Sequence, residues 1–225
     1  MKGIRKTIRD NKYLNWILIF SNWCFQGMLH ADKTEKIYKI LFTAFFWFLF
    51  GITFYIFSNF KLIYVFILSF IIGHSLNWIV NGNFYGLLVH RLLFAKISKE
   101  KLFNYLDHLE KKIKHQDWIL YSASFGSICR GDLKDSSDID VSIIRKLGFK
   151  NAIRSIIFSI KEKKYADIKG IPLEIYISDT PKNSIQRFKA ENNPVVIYDP
   201  ENTIDKYYQE KLSIEAAKKL NNLDV

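Results

Sequence analysis

Cysteine, proline and glycine are all scarce in this chain. Its 225 residues include two cysteines, four prolines and ten glycines. Cys24 and Cys129 lie far apart, with no CxxC and no Cys/His cluster. That spacing argues against a disulfide framework or a structural zinc site, and for a reducing setting. The shortage of glycine and proline excludes collagen-like and linker-rich low-complexity classes, and an apolar fraction of 49% excludes intrinsic disorder. No internal repeat is present. The length suits one or two domains.

Charge is also missing, but only locally. From Ile40 to His90 the single formal charge is Lys61, whereas Arg91 to Val225 carries 24 basic and 19 acidic residues. The two parts suit different solvents. Ile40–Phe57 and Leu62–Val80 are uncharged runs joined by Ser58-Asn59-Phe60-Lys61, and each is long enough as a helix to span most of a hydrocarbon core of about 30 Å. Apolar residues fall all around both, which fits lipid better than an amphipathic surface helix. The expectation is a transmembrane helical hairpin over residues 37–90, a buried hairpin in a soluble protein being the alternative. Lys33, Lys36 and Lys39 precede it and Arg91, Lys96, Lys99 and Lys101 follow it, so the positive-inside rule puts both flanks, and residues 91–225, on the cytoplasmic side of a membrane.

Residues 1–36 form a basic segment. Tyr13–Leu29 is apolar and aromatic but interrupted by Asn15, Ser21, Asn22 and Gln26, and it follows Lys2, Arg5, Lys6, Arg9 and Lys12. It reads as an interfacial helix on anionic lipid. The competing readings are a third crossing and a signal peptide, and the lack of a small-x-small cleavage site before Lys33 argues against the latter. His74, Asn77, Asn81 and Asn83 near the end of the second run either face a lipid-linked substrate or, more simply, make interhelical hydrogen bonds.

Downstream the pattern alternates between helix and strand. Ser98 caps a helix reaching His115, with Leu102, Leu106, Leu109 and Ile113 on one face. Strands are expected at Trp118–Phe125, Asp138–Ile144, Ile171–Ser178 and Val195–Tyr198, and helices at Phe149–Lys161, after Thr180-Pro181, and from a Thr203 cap toward Leu220. The fold class is α+β, a mixed sheet with flanking helices, preceded by the α-helical transmembrane hairpin.

Chemistry is concentrated in Gly126–Ile143, GSICRGDLKDSSDIDVSI. Asp138 and Asp140 sit two apart on an expected strand, and period-2 alternation turns both carboxylates to one face. Such a face suits Mg²⁺, which takes oxygen ligands and is usually shared between carboxylates and a substrate phosphate. Gly126 and Ser127 end a strand at a turn into helix, where the backbone can approach a ligand and amides favour anions. Arg130 and Lys134 lie in the connecting loop, placed to offset the charge of leaving phosphates.

These residues resemble the GS-x10-DxD signature of the DNA polymerase β-like nucleotidyltransferase superfamily, and most of all the minimal nucleotidyltransferases, whose common form reads GSxARGxxxxxSDIDL. Gly126, Ser127, Arg130, Gly131, Ser137, Asp138, Ile139 and Asp140 fall in register; Cys129 departs from the usual alanine. The resemblance covers about Ser98–Asp199, including the apolar segment ending at Tyr198, and nothing before Arg91. It implies an enzyme moving a nucleoside monophosphate from a nucleoside triphosphate to an acceptor. Asp138, Asp140 and a third carboxylate would be catalytic and hold Mg²⁺, or Mn²⁺ in its place. Glu174 is the candidate third carboxylate, where the family often has aspartate. Gly126, Ser127, Arg130, Lys134 and Ser137 would bind the nucleotide.

Each motif has a plainer reading. An isolated DxD is usually a solvated turn or strand edge. Arg130-Gly131-Asp132 spells an adhesion tripeptide, which has no use in a cytosolic loop. Cys129 reads as a small filler, since no His or Cys is nearby to activate it. Glu174 is alternatively an ordinary strand-edge charge. The expected partners are a nucleoside triphosphate, membrane lipid and an acceptor the sequence does not identify, with a glycan or lipid precursor suggested by location. Two other functions stay open: a catalytically silent, membrane-anchored nucleotide-binding module, and an antitoxin-like enzyme that nucleotidylates a protein. Nucleic acid is not expected as a partner, because much of the basic excess flanks the hairpin, where anionic lipid accounts for it.

Overall fold

The computed structural model describes residues 12–82, 84, 96–135, 137–188, 193–208 and 210–223. Lys2, Arg5, Lys6, Arg9, Asn83 and Arg91, which entered the charge and polar-residue arguments above, lie outside the described residues. The chain divides into two compact units, Met1–Leu92 and Leu93–Val225.

The first unit is helical. Helix α1 is Lys12–Phe25, α2 is Lys33–Phe57 and α3 is Leu62–Asn81. With 25 and 20 residues, α2 and α3 are long and apolar enough to cross a membrane, whereas the 14 residues of α1 give only about 21 Å. Small residues let α2 and α3 pack closely. A Cβ on Gly73 of α3 would lie 2.7 Å from the Trp47 backbone nitrogen of α2, and Gly51 faces Ser69. Trp47 meets Phe66 and Phe70 edge-on across the same contact.

The polar residues of this unit face one another rather than forming an open site. Asn77 Nδ2 donates to Lys39 O (2.9 Å) and Thr43 Oγ1 (2.8 Å), and Asn81 Nδ2 donates to Asn77 Oδ1 (2.7 Å). Gln26 Nε2 donates to His74 O (2.8 Å), and His74 Nε2 lies 2.9 Å from Trp23 O. Lys39 is buried and paired with Glu35 at 2.7 Å. Of the two readings of His74 and Asn77, interhelical hydrogen bonding is the one seen. The same bonds tie the end of α1 to α3.

The second unit is α+β. In order it contains α4 (Lys99–Lys114), β1 (Ile119–Phe125), α5 (Ser127–Arg130), β2 (Ile139–Arg145), α6 (Phe149–Ile168), β3 (Leu173–Ser178), α7 (Pro181–Phe188), β4 (Val195–Tyr198) and α8 (Ile214–Leu220). The strands form one mixed sheet in the order β3-β2-β1-β4, with β2 and β3 parallel and the other two pairs antiparallel. Ser98 Oγ accepts from the Lys101 N–H and starts α4, whose Leu102, Leu106, Leu109 and Ile113 are all fully buried. Every strand contributes apolar residues to the core, among them Tyr121, Ala123, Ile139, Val141, Ile175 and Val195, and β1 and β2 are buried at all but one position.

Two expectations need correction. The last helix is capped by Ser213, not Thr203, whose backbone N–H instead donates to Asp199 Oδ1 (2.7 Å) and builds a turn. Helix α6 continues past Lys161 to Ile168, because Glu162 and Ala166 extend its buried face and Lys112 pairs with Glu162 at 2.8 Å.

Candidate active site

The strand register collects the acidic residues. Asp140 of β2 stands opposite Phe125 of β1 on one side and opposite Glu174 of β3 on the other. The chain leaves β1 at Gly126, whose φ of 88° favours glycine. A Cβ there would sit 3.1 Å from Asp140 Oδ2, so the missing side chain is what lets the carboxylate rest against the turn. The one-turn helix α5 carries Ser127 and Arg130 and closes at Gly131 in the left-handed region.

Asp138 lies just before β2, two residues from Asp140, and both are half-buried. The Asp140 carboxyl is held well above the usual carboxylate range, first by burial and then by the negative charges of Asp138 and Glu174; Arg187 and Arg130 act against this. Asp138, Asp140 and Glu174 are therefore electrostatic neighbours, with two guanidinium groups close enough to oppose their repulsion. Tyr176, two residues beyond Glu174 on the same face of β3, donates its hydroxyl to Glu174 Oε2 and lies 3.2 Å from Asp140 Oδ1. Arg187 of α7 stacks its guanidinium 3.9 Å from the Tyr176 ring centroid.

Other residues of the motif shape the loop. Ser137 Oγ accepts the Lys134 N–H at 2.9 Å, while the Ser137 N–H donates to Lys134 O at 2.9 Å, closing a tight turn before β2. Lys134 is exposed. Arg130 pairs with Asp132 at 3.4 Å, both about half exposed. Cys129 is buried, its thiol donates to Ser124 O (3.1 Å), and burial pushes its pKa up to about 11. It is packing, not a nucleophile.

Sequence reasoning missed three contributors. Tyr176 was readable in principle, since an i+2 residue on a strand shares a face with Glu174. Arg187 reaches the site only through the placement of α7 beside β3, which no local pattern specifies. Asn221 follows α8 and is fully buried. Its Nδ2 donates to Ile128 O (2.9 Å) and its Oδ1 accepts the Leu133 N–H (3.2 Å), bracketing the end of α5 that carries Arg130.

The donors suit a hard divalent cation in kind, being carboxylate oxygens whose mutual repulsion a cation would relieve. In their present arrangement, no group of three or more His, Cys, Asp or Glu side chains among the described residues is drawn close enough to hold one. The Tyr176 hydroxyl contacts two of the three carboxylates instead.

No protein-family model matches this chain, and no curated protein sequence does.

Proposed function

We propose that this protein is a membrane-anchored, Mg²⁺-dependent nucleotidyltransferase. The observation that carries the reading is the register of Asp140 with Glu174, set against the Gly126 turn of a GS-x10-DxD motif. The carboxylates supply the acidic face, and the turn before α5 supplies backbone amides and the Ser127 hydroxyl for phosphate oxygens.

Asp138, Asp140 and Glu174 would hold the cation, which when bound neutralises triphosphate charge and makes the acceptor hydroxyl more acidic. Ser127 and the amides after Gly126 bind the phosphates. Arg130 at the end of α5, with Lys134 in the loop that follows, meets the negative charge of the departing group. The acceptor oxygen bonds to the α-phosphorus as the bond to the bridging oxygen breaks. Pyrophosphate leaves, and the acceptor's proton passes to Glu174. Ordering the carboxylates for this chemistry requires the Tyr176 hydroxyl to give up at least one of its two partners.

Two helices of membrane-spanning length support anchoring. By the positive-inside rule, the lysines on their flanks favour a cytoplasmic second unit, where lipid-linked and phosphorylated acceptors occur. The full chain, reconstituted in lipid, should bind a nucleoside triphosphate with Mg²⁺ and transfer label from it into a lipid or glycan extract. Asp138→Asn and Asp140→Asn should each abolish transfer. Label confined to water-soluble products would remove the lipid acceptor, and activity surviving both substitutions would remove the site.

One observation favours a second reading, a nucleotide-binding module without turnover: Tyr176 already occupies Asp140 and Glu174. Nucleotide binding without pyrophosphate release would select it.

A further inference from the structure

Helix α6 presents an unusual outer face. Its inner side is ordinary: Ser155, Ser159, Glu162 and Ala166 are buried, and Phe158 meets Trp118 edge-on at 5.6 Å. On the outer side Phe149, Ile153 and Ile157 recur on successive turns and are 83%, 42% and 46% exposed. The turn leading into the helix adds Leu147, 69% exposed. Every residue from Lys146 to Lys150 is exposed, so two large apolar side chains project from a tip bounded by two lysines. A solvated helix face carries polar residues at these positions. An apolar ridge flanked by cations matches the pattern of a segment lying in a membrane interface.

We propose that this ridge docks on the anionic cytoplasmic surface of the bilayer that holds α2 and α3. Leu147 and Phe149 would enter the headgroup boundary, with Lys146 and Lys150 on lipid phosphates and carboxylates. The inference rests on the membrane-anchored reading above and is independent of the catalytic one. Charge complementarity selects lipid as the occupant: each lysine close to an anionic surface strengthens attachment by roughly fivefold. Covalent linkage to a membrane-anchored hairpin raises the effective concentration of such a surface, so attachment needs no high intrinsic affinity.

The test uses the full chain in a Cys24→Ser background, where the remaining native thiol, Cys129, is buried. A spin label is attached to Phe149→Cys or, as a reference, to Glu201→Cys in an exposed turn. Nanodiscs contain phosphatidylcholine alone or with phosphatidylserine. In the anionic discs the label on Phe149→Cys should become accessible to oxygen and shielded from an aqueous nickel chelate, while the Glu201→Cys label stays aqueous. Lys146→Glu with Lys150→Glu should abolish the shielding. Labels equally open to nickel in both discs would overturn the docking, as would shielding seen only when two copies share a disc, which would give the ridge to a second chain. A protein stripped from vesicles by alkaline carbonate would instead overturn the anchoring and the docking with it.

Discussion

Asp140 links structure and chemistry through a single carboxyl group. Folding raises its pKa, so the folded chain keeps the proton to a higher pH than the unfolded chain does. Stability attributable to this group is therefore greatest below the ordinary carboxylate range, and declines as pH rises from that range up through the raised value. Asp140→Asn removes the penalty. In chelator at neutral pH it should melt about 2–5 °C above the native chain, with a gap that narrows toward pH 4, as scanning calorimetry would show. Divalent cations should stabilise the native chain and leave the variant unchanged. Tyr176→Phe probes the neighbouring contact. Losing the hydroxyl leaves Asp140 and Glu174 to repel each other, so this variant should melt lower in chelator and gain more from Mg²⁺ than the native chain, by about 1 kcal/mol in the comparison. An unchanged Mg²⁺ shift would show that the hydroxyl does not compete with the cation.

At the scale of elements, the short helix α5 depends on α8. Gly131 has a φ of 71°, and a Cβ there would lie 2.9 Å from Leu220 O, so Gly131→Ala should cost about 1–3 kcal/mol through backbone strain and crowding. Asn221→Ala strands the buried Leu133 N–H and Ile128 carbonyl, at a further cost of about 1–3 kcal/mol. Urea unfolding of both variants should show these losses without a change in m-value, and the triphosphate KM should rise because α5, which bears Ser127 and Arg130, loosens. A stable variant with an unchanged KM would make α8 a bystander. Locally coded elements were legible in the sequence: Ser98 caps α4 as its sequence implies, and the four β-rich runs become β1 to β4. The turn at Thr203 was not legible, because Ser/Thr followed by mixed polar residues suits a turn as well as a helix start, and the choice depends on Asp199 accepting the Thr203 N–H. Gly126 and Gly131 stood out as motif glycines, but the atoms they make room for, Asp140 Oδ2 and Leu220 O, lie 14 and 89 residues further along the chain.

For the whole molecule, the partition between an uncharged stretch and a charged one becomes a division into two compact units. The apolar runs could be read as long helices because hydrocarbon thickness sets their length. The pairing of Asp140 with Glu174 was less legible, since it depends on β3 lying parallel to β2 in one particular register; a slip by one residue would send Glu174 to the opposite face. Tyr176 and Arg187 enter the site through that same pairing and through α7, so a search confined to the motif passes over them. The reaction proposed for the assembled molecule is attack at the α-phosphorus, directed by these carboxylates. The most direct measurement follows the fate of label from nucleoside triphosphates marked at the α- or the γ-phosphate, using the lipid-reconstituted full chain with Mg²⁺. The proposed reaction puts α-label on the acceptor and γ-label in pyrophosphate, with both falling on the order of a thousandfold in Asp140→Asn. Release of γ-label as inorganic phosphate, or transfer undiminished in that variant, would contradict it.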